Sequence, residues 1–250
     1  MKVSLITVSY NSAATIRDTI TSVSNQDHPD IEYIIVDGNS KDNTLEVIKA
    51  NESKISKWIS EPDKGIYDAM NKAIKMTSGE VVGILNSDDF YHSKNIISQI
   101  AHAFEDENID AVFGDLVFVN PTNLKKVIRT YSSKNWNPKK FARGYMPAHP
   151  TFFVRKKYYE QFGLFKTDYK IAADYELLIR FLYVNSLRYR YLPLTMVTMR
   201  RGGASTGGIR SNIILNNEIV RACRENGIYT NLFNIYPKYF VKIFELFASR

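Results

Sequence analysis

The chain has 250 residues, 44% of them hydrophobic and 24% charged, the balance of a soluble globular protein long enough to bury a full core. One cysteine, Cys223, excludes an internal disulfide framework and a cysteine-based zinc cluster, and no run approaches the roughly 18 apolar residues of a membrane span. The net charge of +7 hides an acidic front and a basic back: residues 1–110 carry 10 Lys+Arg against 18 Asp+Glu, residues 111–250 carry 23 against 8. A basic half suits nucleic acid, anionic lipid or a phosphorylated ligand.

Residues 3–10 read as a buried first strand, broken at Asn11-Ser12, and residues 15–25 follow with Ile16, Ile20 and Val23 at helical spacing. The start lacks a signal peptide's apolar stretch, which with the single cysteine suits a reducing cytoplasm. Asp27-His28-Pro29-Asp30 is a turn before a second strand, Tyr33-Ile34-Ile35-Val36, that ends at Asp37-Gly38-Asn39-Ser40. A helix over 42–50, a short strand over 55–59 and a helix with Ile66, Met70, Ala73 and Ile74 on one face come next, the last introduced by Asp63-Lys64-Gly65. The run Glu80-Val81-Val82-Gly83-Ile84-Leu85 is a fourth strand stopping at Asn86-Ser87-Asp88-Asp89, with a helix over about 94–104 beyond. Strands alternating with helices predict βαβ units, a parallel sheet and helices on both of its faces.

After Asp110 the rhythm changes. Residues 111–119 and 125–131 read as an antiparallel hairpin, 151–154 as a further strand and 174–184 as a helix with Leu177, Leu178, Phe181 and Leu182 inward. From Asn231 the chain is aromatic. Pro237 is placed as a helix's first residue, with Phe240, Val241, Phe244 and Phe247 on one face and Lys238 and Lys242 nearby. Such a helix can lie in a membrane interface, pack on its own domain, or bury itself against a second copy in a homodimer.

Three strand ends converge on one polar edge: Thr7-Val8-Ser9-Tyr10-Asn11, Asp37-Gly38-Asn39-Ser40 and Asn86-Ser87-Asp88-Asp89. In an open α/β sheet that edge is where ligands bind. Neither G-x-G-x-x-G nor G-x-x-x-x-G-K-[ST] follows the first strand, so phosphates here call for a metal and side chains, which points to a sugar nucleotide more than to NAD or ATP. Adjacent Asp88 and Asp89 fit a hard cation, Mg²⁺ or Mn²⁺; they equally fit a solvated turn capping the next helix.

The ordered segments TVSYN, VDGNSKDNT, EPDKGIYDAMNKA, GEVVGILNSDD and AADYELLIR resemble the family 2 inverting glycosyltransferases of the GT-A fold that build bacterial surface polysaccharides such as O-antigen. The resemblance covers residues 1–208. It implies a GT-A domain with a nucleotide-binding half at 1–110, an acceptor-binding half at 111–208, and a helical extension at 209–250. By the same resemblance Thr7, Val8, Tyr10 and Asn11 line the nucleotide pocket, Asp37 meets the base, and Asp63 and Lys64 lie near base, ribose or diphosphate. Asn86-Ser87-Asp88 holds the DXD position, with Asp88 the metal ligand, Asp89 beside it toward the acceptor, and Asp174 the general base. The first carboxylate of DXD is replaced by Asn86.

Arg200, Arg201 and Lys64 are candidates to hold the departing diphosphate, under a lid at Gly202-Gly203-Ala204-Ser205. His149 precedes a strand where an acceptor would enter; His28, His92 and His102 show no ligand spacing. Glu176, two residues beyond Asp174 on a helix, faces elsewhere. The expected reaction moves a sugar from a nucleoside-diphosphate sugar, UDP-linked, to a lipid-diphosphate-linked or oligosaccharide acceptor, with Mn²⁺ or Mg²⁺, at the cytoplasmic face of the membrane. The alternatives are a sugar-nucleotide-forming nucleotidyltransferase, which would want a Gly-rich basic loop where Ser9-Tyr10-Asn11-Ser12 stands, and a non-catalytic binding module. No RNA-binding signature accompanies the basic half, so nucleic acid is not an expected partner.

Overall fold

In the computed structural model, which describes residues 1–202 and 208–238, the front half follows the expected alternation. Strand β1 (Val3–Ser9) leads to α1 (Ile16–Ser24), β2 (Ile31–Asp37) to α2 (Thr44–Ala50), β3 (Lys57–Ser60) to α3 (Ile66–Met76), and β4 (Val81–Ile84) to a two-residue β5 (Phe90–Tyr91) and α4 (Ile96–Ala103). Strands β3, β2, β1 and β4 lie side by side and parallel, so their carboxyl ends share one edge.

The back half is mixed. β6 (Ala111–Asn120) and β7 (Asn123–Tyr131) form the hairpin, and β8 (Phe153–Arg155) inserts antiparallel between β4 and β6. A 12-residue β9 (Tyr189–Arg200) pairs parallel with β6 and antiparallel with β5. The sequence pattern predicts neither β9 nor β5. β9 opens on Tyr189-Arg-Tyr-Leu-Pro before it turns apolar, and only Met196, Val197 and Thr198 are buried, so alternation is weak until a partner strand supplies it. Helices α5 (Lys157–Phe162), α6 (Ala173–Ile179), α7 (Ile209–Glu225) and α8 (Leu232–Ile235) complete the chain, and α6 runs on as a π-helical turn over Arg180–Val184.

Alternation along the central strands divides two core layers. Ile6, Val8, Ile34 and Val36 face α3, α6 and α7, while Val3, Leu5, Tyr33 and Ile35 face α1, α2 and α4. Ile66, expected on the inner face of α3, is 46% exposed; Tyr67 takes that place, because the helix begins one residue after Gly65 and turns Ile66 outward. Ile219, Ala222, Cys223, Ile228 and Ile235 lie in the same core layer as α3 and α6. Lys238, placed by the sequence near an aromatic helix face, is buried against Gly144. The remainder of that helix and most of the expected lid lie outside the described residues.

Candidate active site

The four parallel strand ends are tied to one another by side chains of the turns that follow them. The Asn11 amide donates to Ser40 Oγ (2.8 Å), the Lys41 amide to Asn11 Oδ1 (2.8 Å), and the Ser12 amide to Thr44 Oγ1 (2.7 Å). Ser12 and Ser87 hydroxyls meet at 2.8 Å, joining the β1 and β4 ends. Asn11 and Asn39 adopt positive φ (51° and 62°), a conformation Asn tolerates better than bulkier residues.

Asp37 lies beneath this edge and is fully buried. Its Oδ1 accepts from Ser9 Oγ (3.1 Å) and Ser40 Oγ (2.5 Å), its Oδ2 from the Ser40 amide (2.9 Å) and Ser60 Oγ (2.7 Å), so one carboxylate clamps the ends of β1, β2 and β3. Thr7 is likewise buried and accepts from Tyr33 OH (3.0 Å), and Val8 is 5% exposed. Of the residues expected at the nucleotide, Tyr10 (60% exposed) and Asn11 face outward. Tyr10 and Asp63 flank Gly38: a Cβ there would sit 2.3 Å from Asp63 Oδ2 and 3.4 Å from the Tyr10 ring, so only glycine permits that approach. Asp63 Oδ1 accepts from the Gly65 amide (2.8 Å), and Lys64 is exposed beside it.

At the end of β4, Asn86 Nδ2 donates to Asp89 Oδ2 (3.2 Å) and the Asp89 carbonyl accepts from Thr19 Oγ1 (2.7 Å). Asp88 is half-buried, and burial raises its carboxyl above the ordinary range against the opposing pull of Arg200. Asp89, expected to face the acceptor, is instead wholly buried; burial, then the Asp88 charge, push its carboxyl far up, and its Oδ1 has no partner among the described residues. Its side chain points into the core because it starts the chain's descent into β5, so it supports the turn from below. Arg200, expected at the diphosphate, is also placed otherwise. Its side chain is 9% exposed, donates to the Asp88 carbonyl (2.5 Å), pairs with Asp18 and lies over the Phe90 ring at 5.1 Å. It braces the 86–89 turn from β9, whereas Arg201 is exposed.

The back half supplies the opposite wall. β8 pairs antiparallel with β4 (Gly83↔Phe153), and the Phe153 ring covers Gly83 so closely that a Cβ would lie 2.1 Å from it. The chain just before Phe153 therefore runs alongside the chain just after Gly83, which sets the His149–Thr151 turn against the end of β4. His149 Nδ1 lies 3.3 Å from Asp174 Oδ2, so the pair expected at acceptor and base meet. Asp174 stands in the first turn of α6, not at its cap, which is Ala172; its Oδ1 accepts from the Tyr175 amide (2.8 Å). Tyr67, at the start of α3 just beyond Asp63, donates to the Ile171 carbonyl (2.5 Å) and so joins the Asp63 side to the Asp174 side. Glu176 faces away, buried between Arg180 (2.9 Å) and Lys166 (3.0 Å).

The glycosyl transferase family 2 model matches residues 4–162, which hold the strand ends and His149. The chain belongs to that family. Among its relatives, a PGL/p-HBAD biosynthesis glycosyltransferase of Mycobacterium bovis is 26% identical over 223 residues, 87% of this chain and 82% of its own. The WfgD protein of Escherichia coli, a UDP-Glc:alpha-D-GlcNAc-diphosphoundecaprenol beta-1,3-glucosyltransferase, is 32% identical over 123 residues, 49% of this chain and 48% of its own. Residues 1–349 of Staphylococcus aureus TarS, solved with UDP-GlcNAc, superpose with a TM-score of 0.69 at 21% identity, over 92% of this chain and 68% of that one. A mannosyltransferase of Pyrobaculum calidifontis, in complex with GDP-Man and Mn²⁺, gives 0.65 at 19% identity, over 90% and 63%. The fold is therefore GT-A.

Members of this fold commonly use a divalent cation, and the donor set here can be tested against one. No three His, Cys, Asp or Glu side chains converge among the described residues. Asp88 offers one half-buried carboxylate, and the Asn86 amide nitrogen is occupied by Asp89, which leaves its oxygen to turn elsewhere. That set fits an oxygen-seeking cation that brings waters and diphosphate oxygens with it, and does not fit a resident protein-only site. Sequence reasoning missed Tyr67 and Gly38 as builders of the site; a lone Gly or Tyr carries no signal until the chain it touches is known.

Proposed function

We propose that this family 2 glycosyltransferase moves a hexose-type sugar from a UDP-sugar to a hydroxyl of a lipid-diphosphate-linked sugar, inverting the anomeric centre, in cell-surface polysaccharide synthesis. The observation that carries the reading is the juxtaposition, across one edge of the sheet, of the Tyr10–Gly38–Asp63 cradle, the 86–89 turn and the His149–Asp174 pair. The UDP-GlcNAc complex of TarS and the UDP-Glc and diphosphoundecaprenol specificity of WfgD support the donor and acceptor classes. The basic back half suits an acceptor on an anionic membrane surface; among the described residues no helix is long and apolar enough to cross a membrane.

In this reading the exposed Tyr10 ring gives the nucleobase a stacking face and Asp63 an acceptor beside Gly38. Asp88 and the Asn86 oxygen would hold Mn²⁺ or Mg²⁺ with the donor's diphosphate; such an ion offsets charge on the leaving group. As the anomeric carbon–oxygen bond breaks, negative charge gathers on the diphosphate, where exposed Lys64 and Arg201 can answer it. On the opposite side Asp174 takes the proton of the attacking hydroxyl. A carboxylate suffices as base when that transfer is late, after the sugar has acquired cationic character. His149 orients the Asp174 carboxylate and borders the acceptor.

The test is incubation with Mn²⁺ and a panel of UDP-, GDP- and dTDP-sugars, with synthetic lipid-diphosphate N-acetylhexosamines as acceptors, read by mass spectrometry. Transfer from a UDP-hexose, abolished by EDTA, is expected. Asp174→Asn should retain UDP binding by calorimetry and lose transfer by about 10²–10⁴-fold. No turnover of any donor, with or without acceptor, refutes the assignment.

A further inference from the structure

The loop that delivers Asp174 is held by one face of α7. Glu218, Arg221 and Glu225 stand at i, i+3 and i+7, and all reach residues 166–172. Two of them hold side chains: Arg221 pairs with Asp168, and Glu225 accepts from Lys166 Nζ (2.8 Å) and Tyr169 OH (2.9 Å). Arg221 also donates to the Asp168 carbonyl (3.4 Å), whereas Glu218 takes up backbone N–H groups at the foot of α6. Its Oε1 accepts from the Lys170 amide (2.7 Å), and its Oε2 from the Ile171 and Ala172 amides (2.9 Å each). Three consecutive N–H groups thus converge on one carboxylate, the stronger, charge-assisted kind of hydrogen bond.

Peptide 171 is gripped on both sides, because its carbonyl accepts from Tyr67 OH at 2.5 Å. Ala172 is the N-cap of α6, and Asp174 follows two residues later. The cap itself receives no side-chain hydrogen bond from its own residue, so the direction in which α6 leaves the loop depends on these outside contacts. Glu218 lies beyond the span matched by the family model, in a helix whose neighbouring stripe, Ile219, Ala222 and Cys223, is locked into the core. The carboxylate is therefore mounted on a rigid support.

We propose that Glu218 is a positioning residue for the transfer reaction: by fixing the 170–172 backbone it sets the Asp174 carboxylate opposite the donor, and it touches neither substrate. The inference rests on the functional reading above. Misplacing a base by about 1 Å costs on the order of a hundredfold in rate, so Glu218→Ala should lower kcat by about that factor and leave the donor KM unchanged. Glu218→Gln keeps an oxygen for the Ile171 and Ala172 amides and loses only the Lys170 bond, so most of the rate should return. Arg221→Ala, which removes the contacts to Asp168 and leaves the 170–172 amides untouched, should leave kcat at the wild-type level.

The assay is UDP release from whichever UDP-sugar the wild type turns over with Mn²⁺, normalised to UDP-binding sites by calorimetry, alongside hydrogen exchange of the 170–175 amides. Faster exchange confined to those amides together with the kcat loss in Glu218→Ala supports the assignment. Unchanged kcat, equal losses in the Ala and Gln variants, or a parallel fall in UDP-binding sites overturns it. A wild type inert with every donor refutes the functional reading and this inference with it, whereas an active wild type with a fully active Glu218→Ala refutes this inference alone.

Discussion

Glu32 offers a perturbation whose size follows from the structure. It lies near the start of β2, beside Ser4 of β1, at the edge of the sheet opposite the candidate site. Its Oε2 accepts from Ser4 Oγ (2.6 Å) and the Ser78 amide (2.6 Å), its Oε1 from Lys57 Nζ (2.9 Å) and Ser78 Oγ (2.8 Å), and it is 3% exposed. Burial pushes its carboxyl up, but the bonds from Ser4, Lys57 and Ser78 outweigh it and bring the pKa from an ordinary 4.5 to about 2. A pKa lower in the folded than in the unfolded chain stabilises the fold above the unfolded value and ceases to do so as pH falls through the folded one. The contribution is about 3 kcal/mol at neutral pH. In Glu32→Gln the amide nitrogen faces the Lys57 ammonium, and a chain of this size should lose roughly 6–12 °C in Tm. Urea unfolding should give a wild-type-to-variant gap that is constant from neutral pH to about 5, narrows below about 4.5 and closes near 2. Activity per folded molecule should be unchanged. A gap under about 1 kcal/mol at neutral pH, or one that persists undiminished to pH 2.5, would mean that the Ser4, Lys57 and Ser78 bonds do not favour the ionised carboxylate in the fold.

Gly38→Ala sets a methyl carbon 2.3 Å from Asp63 Oδ2, so the carboxylate must swing away. UDP affinity measured by calorimetry should fall by about tenfold or more, with a Tm cost under about 1.5 kcal/mol equivalent; retained affinity would remove Asp63 from the cradle. Arg200→Ala takes away the brace on the Asp88 carbonyl and the partner of Asp18. A stability loss of about 2 kcal/mol in urea is expected, together with a higher Mn²⁺ requirement for transfer, and a variant equal to wild type on both counts would contradict the bracing role. Removal of divalent cations with EDTA should abolish transfer but spare the thermal transition, because the described residues form no protein-only metal site; a large Tm drop on chelation would count against that.

The front half of this protein is legible in its amino-acid order. Alternation of apolar residues at two periods, punctuated by Asn-Ser and Asp-Gly-Asn-Ser, depends only on near neighbours, and it yields four strands, the helices between them and the edge where their polar ends collect. Motif order likewise led to the family. Tertiary structure alone decided which polar residues at that edge face outward. Asp37, Asp63, Asp88 and Asp89 are indistinguishable as letters, yet one clamps three strand ends, one flanks a glycine, one is half-exposed and one is buried without a full set of partners. Arg200 looked like a free cation until β9, too weakly patterned to be seen, carried it behind the 86–89 turn. The meeting of His149 with Asp174, and the hold of Glu218 on the loop before it, join residues 25 and 46–48 positions apart. Such contacts are set by how helices dock on a finished sheet, and no local pattern in the chain encodes them.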